Sequence, residues 1–220
     1  MSIRIISFFC LIVLATKLFA VRSLTGTWDG MTFTFDENKP FFYYLEAEGR
    51  FYNRSEVDAA LARVAVGHTI KHFKLWLGYD YFQSLDSRRR TIQAVWQQLF
   101  ITLVNSNSLE WTYYSRFEER FFSLEPGTAY RNRNQSTLIL KNFFPNQISP
   151  LLTGELFVNV NHPTWVSRKT ISQTRYFIGV QKPITESVML ALGYLNVNVF
   201  RNHETVRENI ARIRFAVNFE

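Results

Sequence analysis

The charged side chains of this 220-residue chain gather on one parity of long alternating segments, and any chemistry has to be sought there. Arg50, Arg63, Lys74, Arg90, Arg116, Arg120, Arg131, Arg133, Lys141, Arg175, Arg212 and Arg214 share that parity with Glu46, Glu48, Asp80, Glu118 and Glu155. Arginine outnumbers lysine, as suits planar, two-pronged pairing with carboxylates or phosphates. If this face is enclosed, each acid must brace one or two arginines, because buried charges demand partners. The residues expected to form such an inner network are Glu46, Glu48, Arg50, Arg116, Glu118, Arg120, Glu155, Arg175, Arg212 and Arg214. If the face is hydrated, twelve bases against five acids would attract small anions or acidic sugars instead.

Catalysis has fewer candidates. His68 and His72 flank a compact turn, while His162 and His203 lie in longer connections near Asn161, Ser167, Ser172, Asn202 and Glu204. A lipid-processing hydrolase would need a serine hydroxyl within about 3 Å of a histidine nitrogen. No Ser-His-acid spacing stands out, so the chain is read as a non-enzyme. A single Cys, Cys10, rules out a disulfide framework and Cys₄ or Cys₂His₂ zinc sites. There is no glycine-rich phosphate cradle, and no cofactor is implied. The run Ser87-Arg88-Arg89-Arg90 is either solvated loop charge or a group facing the phosphates of lipopolysaccharide.

The elements that must hold these groups are strands. Polar and apolar residues alternate with period 2 over 40–52, 72–83, 108–122, 152–160 and 211–219. In the last of these Ala211, Ile213, Phe215, Val217 and Phe219 oppose Arg212, Arg214 and Asn218. A helix would throw residues i and i+2 to opposite sides. Less regular strands fit 57–69, 90–103, 130–143, 170–182 and 187–200, and the half of 130–143 before 137 is polar on both faces. That gives ten strands from residue 40 onward. Residues 25–36 alternate as well and would be an eleventh. Bacterial single-chain barrels have even strand counts, so this segment is expected elsewhere, for instance in the lumen, or a strand is miscounted; ten to twelve strands is the expectation. All six prolines fall at strand ends or connections, where a missing N–H is harmless. Connections near 69–71, 104–107, 144–149 and 182–185 are compact; those around 84–89, 124–129, 161–169 and 201–207 are longer.

The first twenty residues read as an address. A basic start at Arg4, an apolar run from Ile5 to Ala15 and the small residue Ala20 make a secretory signal peptide over residues 1–20. The domain is then residues 21–220, with no cysteine and a charge of +5, the chain's +7 less Arg4 and Lys17. Export excludes a nucleic-acid role for the basic loop.

Two architectures make long alternating strands: a soluble barrel with its apolar face inside, and a membrane barrel with that face against lipid. The segments run 10–15 residues, longer than the usual globular strand of about 5–6 and sufficient for a tilted crossing of about 9–11. Aromatics cluster near strand ends, at Phe41, Tyr43, Phe51, Tyr52, Tyr79, Tyr81, Phe82, Phe121, Phe122, Phe143 and Phe144, where interfacial girdles sit. The expectation is an all-β, transmembrane antiparallel barrel.

Short motifs spread over the chain carry a resemblance. They are Leu45-Glu46-Ala47-Glu48-Gly49-Arg50-Phe51, Trp96-Gln97-Gln98-Leu99, Arg116-Phe117-Glu118-Glu119-Arg120 and Gly154-Glu155-Leu156-Phe157-Val158-Asn159. Towards the C-terminus come Gln173-Thr174-Arg175-Tyr176-Phe177-Ile178-Gly179, Leu192-Gly193-Tyr194-Leu195-Asn196 and Asn202-His203. In this order they resemble a domain-of-unknown-function family of small outer-membrane barrels from Gram-negative bacteria. The resemblance implies an outer-membrane location, with lipid and lipopolysaccharide as partners, and brings no activity. A terminal Glu220 follows the aromatic on which such barrels often end. The role expected is structural or passive, with a salt-bridged lumen; the alternatives are a narrow anion-preferring channel and a lipid-processing hydrolase.

Overall fold

The computed structural model describes residues 21–54, 58–71, 73–87 and 89–219. The expected signal peptide, with Cys10, and residues Ser55, Glu56, Val57, His72, Arg88 and Glu220 lie outside them. Eleven strands follow one another: β1 (Val21–Phe35), β2 (Phe41–Tyr52), β3 (Ala59–Ile70), β4 (Phe73–Ser84), β5 (Thr91–Asn105) and β6 (Leu109–Phe122), then β7 (Ala129–Leu140), β8 (Ser149–Asn159), β9 (Ile171–Pro183), β10 (Val188–Phe200) and β11 (Thr205–Phe219). Each pairs antiparallel with its sequence neighbours, and β1 closes the barrel against β11.

That closure corrects the expectation of an even count. An odd number of up-and-down strands leaves the first and the last pointing the same way, and β1 pairs β11 in parallel from Val21 opposite Thr205 to Phe35 opposite Phe219. Residues 25–36 are therefore wall and not lumen filler, because β1 also pairs β2 from Gly26–Tyr52 to Phe35–Tyr43. A consequence is that β1 begins at the end of the barrel that carries the longer connections, whereas β11 finishes at the end with the short turns.

The short turns are tight enough to need left-handed backbone, at Asp36 (φ 59°), Lys71 (φ 55°) and Asn142 (φ 51°). Within the wall, glycine serves close approach. A Cβ on Gly78 would enter the Trp96 ring, and one on Gly67 would enter the Phe42 ring. Both rings thus lie flat on the inner surface of a neighbouring strand, where larger residues would push them into the lumen.

Alternation sorts the wall into two faces. Leu45, Val64, Leu77, Val95, Ile178, Leu192 and Phe215 point outward and exposed, forming a broad apolar band. It is edged by Phe41, Phe73, Phe143, Phe144 and Phe219 at the turn end, and by Tyr79, Tyr81, Tyr176 and Tyr194 towards the loop end. Over the loop-end half of β10, β11 and β1 the polarity of the two faces inverts. Outside, Tyr194 donates to Asn209 (2.5 Å), Asn209 to Ser23 (3.0 Å) and Asn198 to Asn196 (2.9 Å). Inside, Trp28, Phe177, Leu195, Val197 and Ile210 pack into one cluster. The outward polar residues of β7 also satisfy one another: Tyr113 donates to Asn134 (2.7 Å), Asn134 to Asn132 (2.8 Å) and Trp111 to Ser136 (2.8 Å).

Candidate functional site: an arginine-rich lumen

Four strands bring the centre of the lumen together. Arg63 on β3 donates from Nε and Nη2 to the two oxygens of Asp80 on β4, at 2.6 and 2.7 Å, and from Nη1 to Glu46 on β2 at 2.5 Å. The fork-to-carboxylate geometry is the strong form of this pair, and it arises because Glu46, Arg63 and Asp80 sit directly opposite one another in register. Asp80 also accepts from the Trp96 indole at 2.5 Å, and Glu46 from the Tyr44 hydroxyl at 2.8 Å. On one side the chain of contacts continues to Arg214, whose Nη2 donates to Tyr44 at 3.1 Å and lies 3.7 Å from Glu46. On the other it reaches Arg116, which donates to the Gln98 amide oxygen at 2.9 Å and lies over the Trp96 ring at 3.8 Å.

Three further groups surround this one. Glu48 accepts from Arg50 at 2.8 Å and from Arg212 at 3.2 Å. Glu155 accepts from Arg133 at 3.0 Å, with Arg175 at 3.6 Å. Glu118 takes both Nε and Nη2 of Arg131 on one oxygen, at 2.7 and 2.5 Å. The rings of Trp28 and Phe157 lie among the arginines. Arg50 and Arg175 stand 4.0 and 5.0 Å from Trp28, and Arg131, Arg133 and Arg175 stand 4.7–5.2 Å from Phe157. At these distances each guanidinium gains from the negative ring face. Trp28 is tied in further by its indole, which donates to Tyr52 (3.0 Å), which in turn donates to Glu208 (2.8 Å).

Of the ten residues expected in the network, eight make ion pairs with one another or with residues on neighbouring strands, while Arg116 has only Asp80, two strands away, at 3.9 Å. Arg120 stands apart: its guanidinium has no carboxylate partner among the described residues and lies 5.6 Å from the Trp165 ring. Parity assigned its face, but only the barrel's register decides which acid it meets. Asp80, Arg63, Arg131 and Arg133, left outside those ten, are central. Register supplies their signal: Arg63 lies directly opposite Glu46 and Asp80, Arg131 directly opposite Glu118, and Arg133 one same-face position diagonal to Glu155.

The charge imbalance read from parity also shrinks. Lys74 pairs with Glu37 (2.8 Å), Arg90 with Asp86 (2.5 Å) and Lys141 with Glu110 (3.6 Å). Two of these acids lie in connections, Glu37 in a turn and Asp86 in a loop, which strand parity does not sample. Two of the histidines hold backbone. His68 meets the Pro40 carbonyl (2.9 Å) and His162 the Ser167 carbonyl (2.8 Å), while Asn202 accepts from the Ser167 hydroxyl (3.2 Å) and the Arg168 amide (2.7 Å).

Replacing Glu118 by alanine is expected to lower the melting temperature of the refolded barrel clearly, because Arg131 is left charged and without its carboxylate. Arg120→Ala should shift it far less. Melting both variants by circular dichroism checks this, and equal shifts would contradict the assignment.

Comparison with known proteins adds a family and a relative. The family model described as "Protein of unknown function (DUF2490)" matches residues 25–209. An uncharacterised protein of Methylorubrum extorquens is 27% identical over 161 residues, covering 70% of each chain. No solved structure matches significantly.

Proposed function

The chain belongs to the DUF2490 family of proteins of unknown function, and from that premise we propose that it is an exported outer-membrane barrel with a structural, non-conducting role. The observation that carries the reading is the filled loop-side part of the lumen. Inside the wall Trp28, Glu118, Phe157 and Leu195 are 1% exposed, and Val197 and Ile210 are 0% exposed. An ion crossing the barrel would have to displace packed aromatic and aliphatic side chains together with paired charges, each costly to strip of partners. The outward apolar band and its aromatic edges support lipid as the surrounding solvent. Such a contiguous apolar surface on a water-soluble monomer would be an aggregation liability. The inverted half of β10, β11 and β1 then stands above the lipid, polar face to water, with the short turns in the periplasm and the longer loops facing lipopolysaccharide. Residues 1–20 supply the export signal.

The test is conductance of the refolded chain in a planar lipid bilayer under a salt gradient. A folded barrel that inserts and stays silent is the expected result. Steady steps with an anion-selective reversal potential would replace this reading by the channel.

A further inference from the structure

We infer that the cavity on the turn side of the arginine layer is a binding site for a single-chain amphiphile with an anionic head, such as a long-chain carboxylate. The cavity holds about 360 Å³, within the range of roughly 300–1,000 Å³ usual for ligand pockets. Its walls divide by chemistry. Five arginines and two glutamates line it, a surplus of positive charge. Away from them Phe100, Ile139, Leu151, Met189, Ala191 and Ala216, all inward-facing near the short-turn ends of their strands, line it together with the uncharged Thr32, Thr137, Thr153 and Gln181. The ligand therefore needs charge at one end and an apolar body at the other.

Two arginines have capacity left for that head group. Arg116 is 5% exposed, yet its Nη1 has no hydrogen-bond partner, and the nearest carboxylate oxygen, on Asp80, is 3.9 Å away. A buried cationic N–H left unmatched is costly, and an anion placed in the cavity would relieve it. Arg214 has a side chain 36% exposed although it points inward, and its contacts are one hydroxyl and a carboxylate at 3.7 Å. Beyond the charge layer the plug blocks further passage, so entry is from the turn end. There Phe100 is shared with a second cavity of about 350 Å³ whose rim carries Lys71 and Lys74. A rim carrying Lys71, with Lys74 held by Glu37, a partly apolar shaft and an arginine floor suit an acyl chain entering head first. Free inorganic anions would leave the shaft unused.

The site can be read through Trp76 and Trp96, which line it. In bilayer nanodiscs, with the outward Trp111 replaced by Phe, bromine-labelled dodecanoate is expected to quench tryptophan emission saturably. Brominated dodecanol should give only the shallow, non-saturating quenching of bilayer partition, and inorganic phosphate should not compete. Arg214→Gln should weaken dodecanoate binding about tenfold. Ala191→Phe, directly opposite Arg214 across β10 and β11, should abolish it while removing no charged group. Saturable quenching that survives Ala191→Phe, quenching equal for acid and alcohol, or displacement by phosphate would each overturn the proposal. The assay is independent of conductance, so a conducting barrel that still binds dodecanoate would fail only the preceding reading.

Discussion

Asp80→Ala is expected to destabilise the barrel by about 3–5 kcal/mol, the usual cost of removing one partner from a buried charge pair. Three groups lose their anion at once. Arg63 gives up two charge-assisted bonds and keeps only Glu46; the Trp96 indole loses its acceptor; Arg116 loses the one carboxylate near its guanidinium. Arg63 and Arg116 would then repel each other across the vacated space, with Trp96 between neighbouring guanidinium groups. Asp80→Asn should cost less, since the amide oxygen still accepts from Trp96. Urea unfolding of the refolded variants in lipid vesicles measures both. A loss for Asp80→Ala within about 0.5 kcal/mol, the range of ordinary surface changes, would mean that the carboxylate does not organise the lumen.

The second large effect is expected at Trp28. Alanine there should cost roughly 3–5 kcal/mol, as for other buried tryptophans cut to a methyl. The indole is one of the two largest fully buried side chains among the described residues, and its loss leaves Tyr52 without a donor and Arg50 without the ring beneath it. The control is Trp111→Ala on the outward face, where the indole is 42% exposed and bonded to Ser136. That change should cost much less in the same unfolding assay. The reverse order would show that the interior cluster is loosely packed.

The two variants probe different layers of one lumen. Asp80 stands in the charge layer, where energy comes from pairing; Trp28 links that layer to the apolar cluster at the loop end. Arg50 and Arg175 meet its ring from the charged side, while Leu195, Val197 and Ile210 belong to the same buried cluster as the indole. A lumen built this way needs both parts, since arginines without ring faces and carboxylates would be desolvated with too few partners.

How much of this was legible in the sequence follows from the range of each interaction. Side-chain parity is a property of a strand by itself, so alternation identified ten strands from residue 40 and the inward face of Glu46, Arg116, Glu155 and Arg214. The all-β class, the strand lengths and the outward apolar band follow from the same local rule. Closure is not local. Residues 25–36 carried a strand signal, but whether that strand filled the lumen or joined the wall depended on pairing between residues nearly two hundred positions apart, Thr25 with Asn209 and Phe33 with Val217. The same holds for partner choice. Parity put Arg120 and Glu118 on one face, yet register gave Glu118 to Arg131 and left Arg120 beside Trp165. The sequence alone determined which residues share a face; the tertiary structure decided which face turns inward along β10, β11 and β1 and which side chains meet, because the side-chain period is set within a strand and the register and closure between strands.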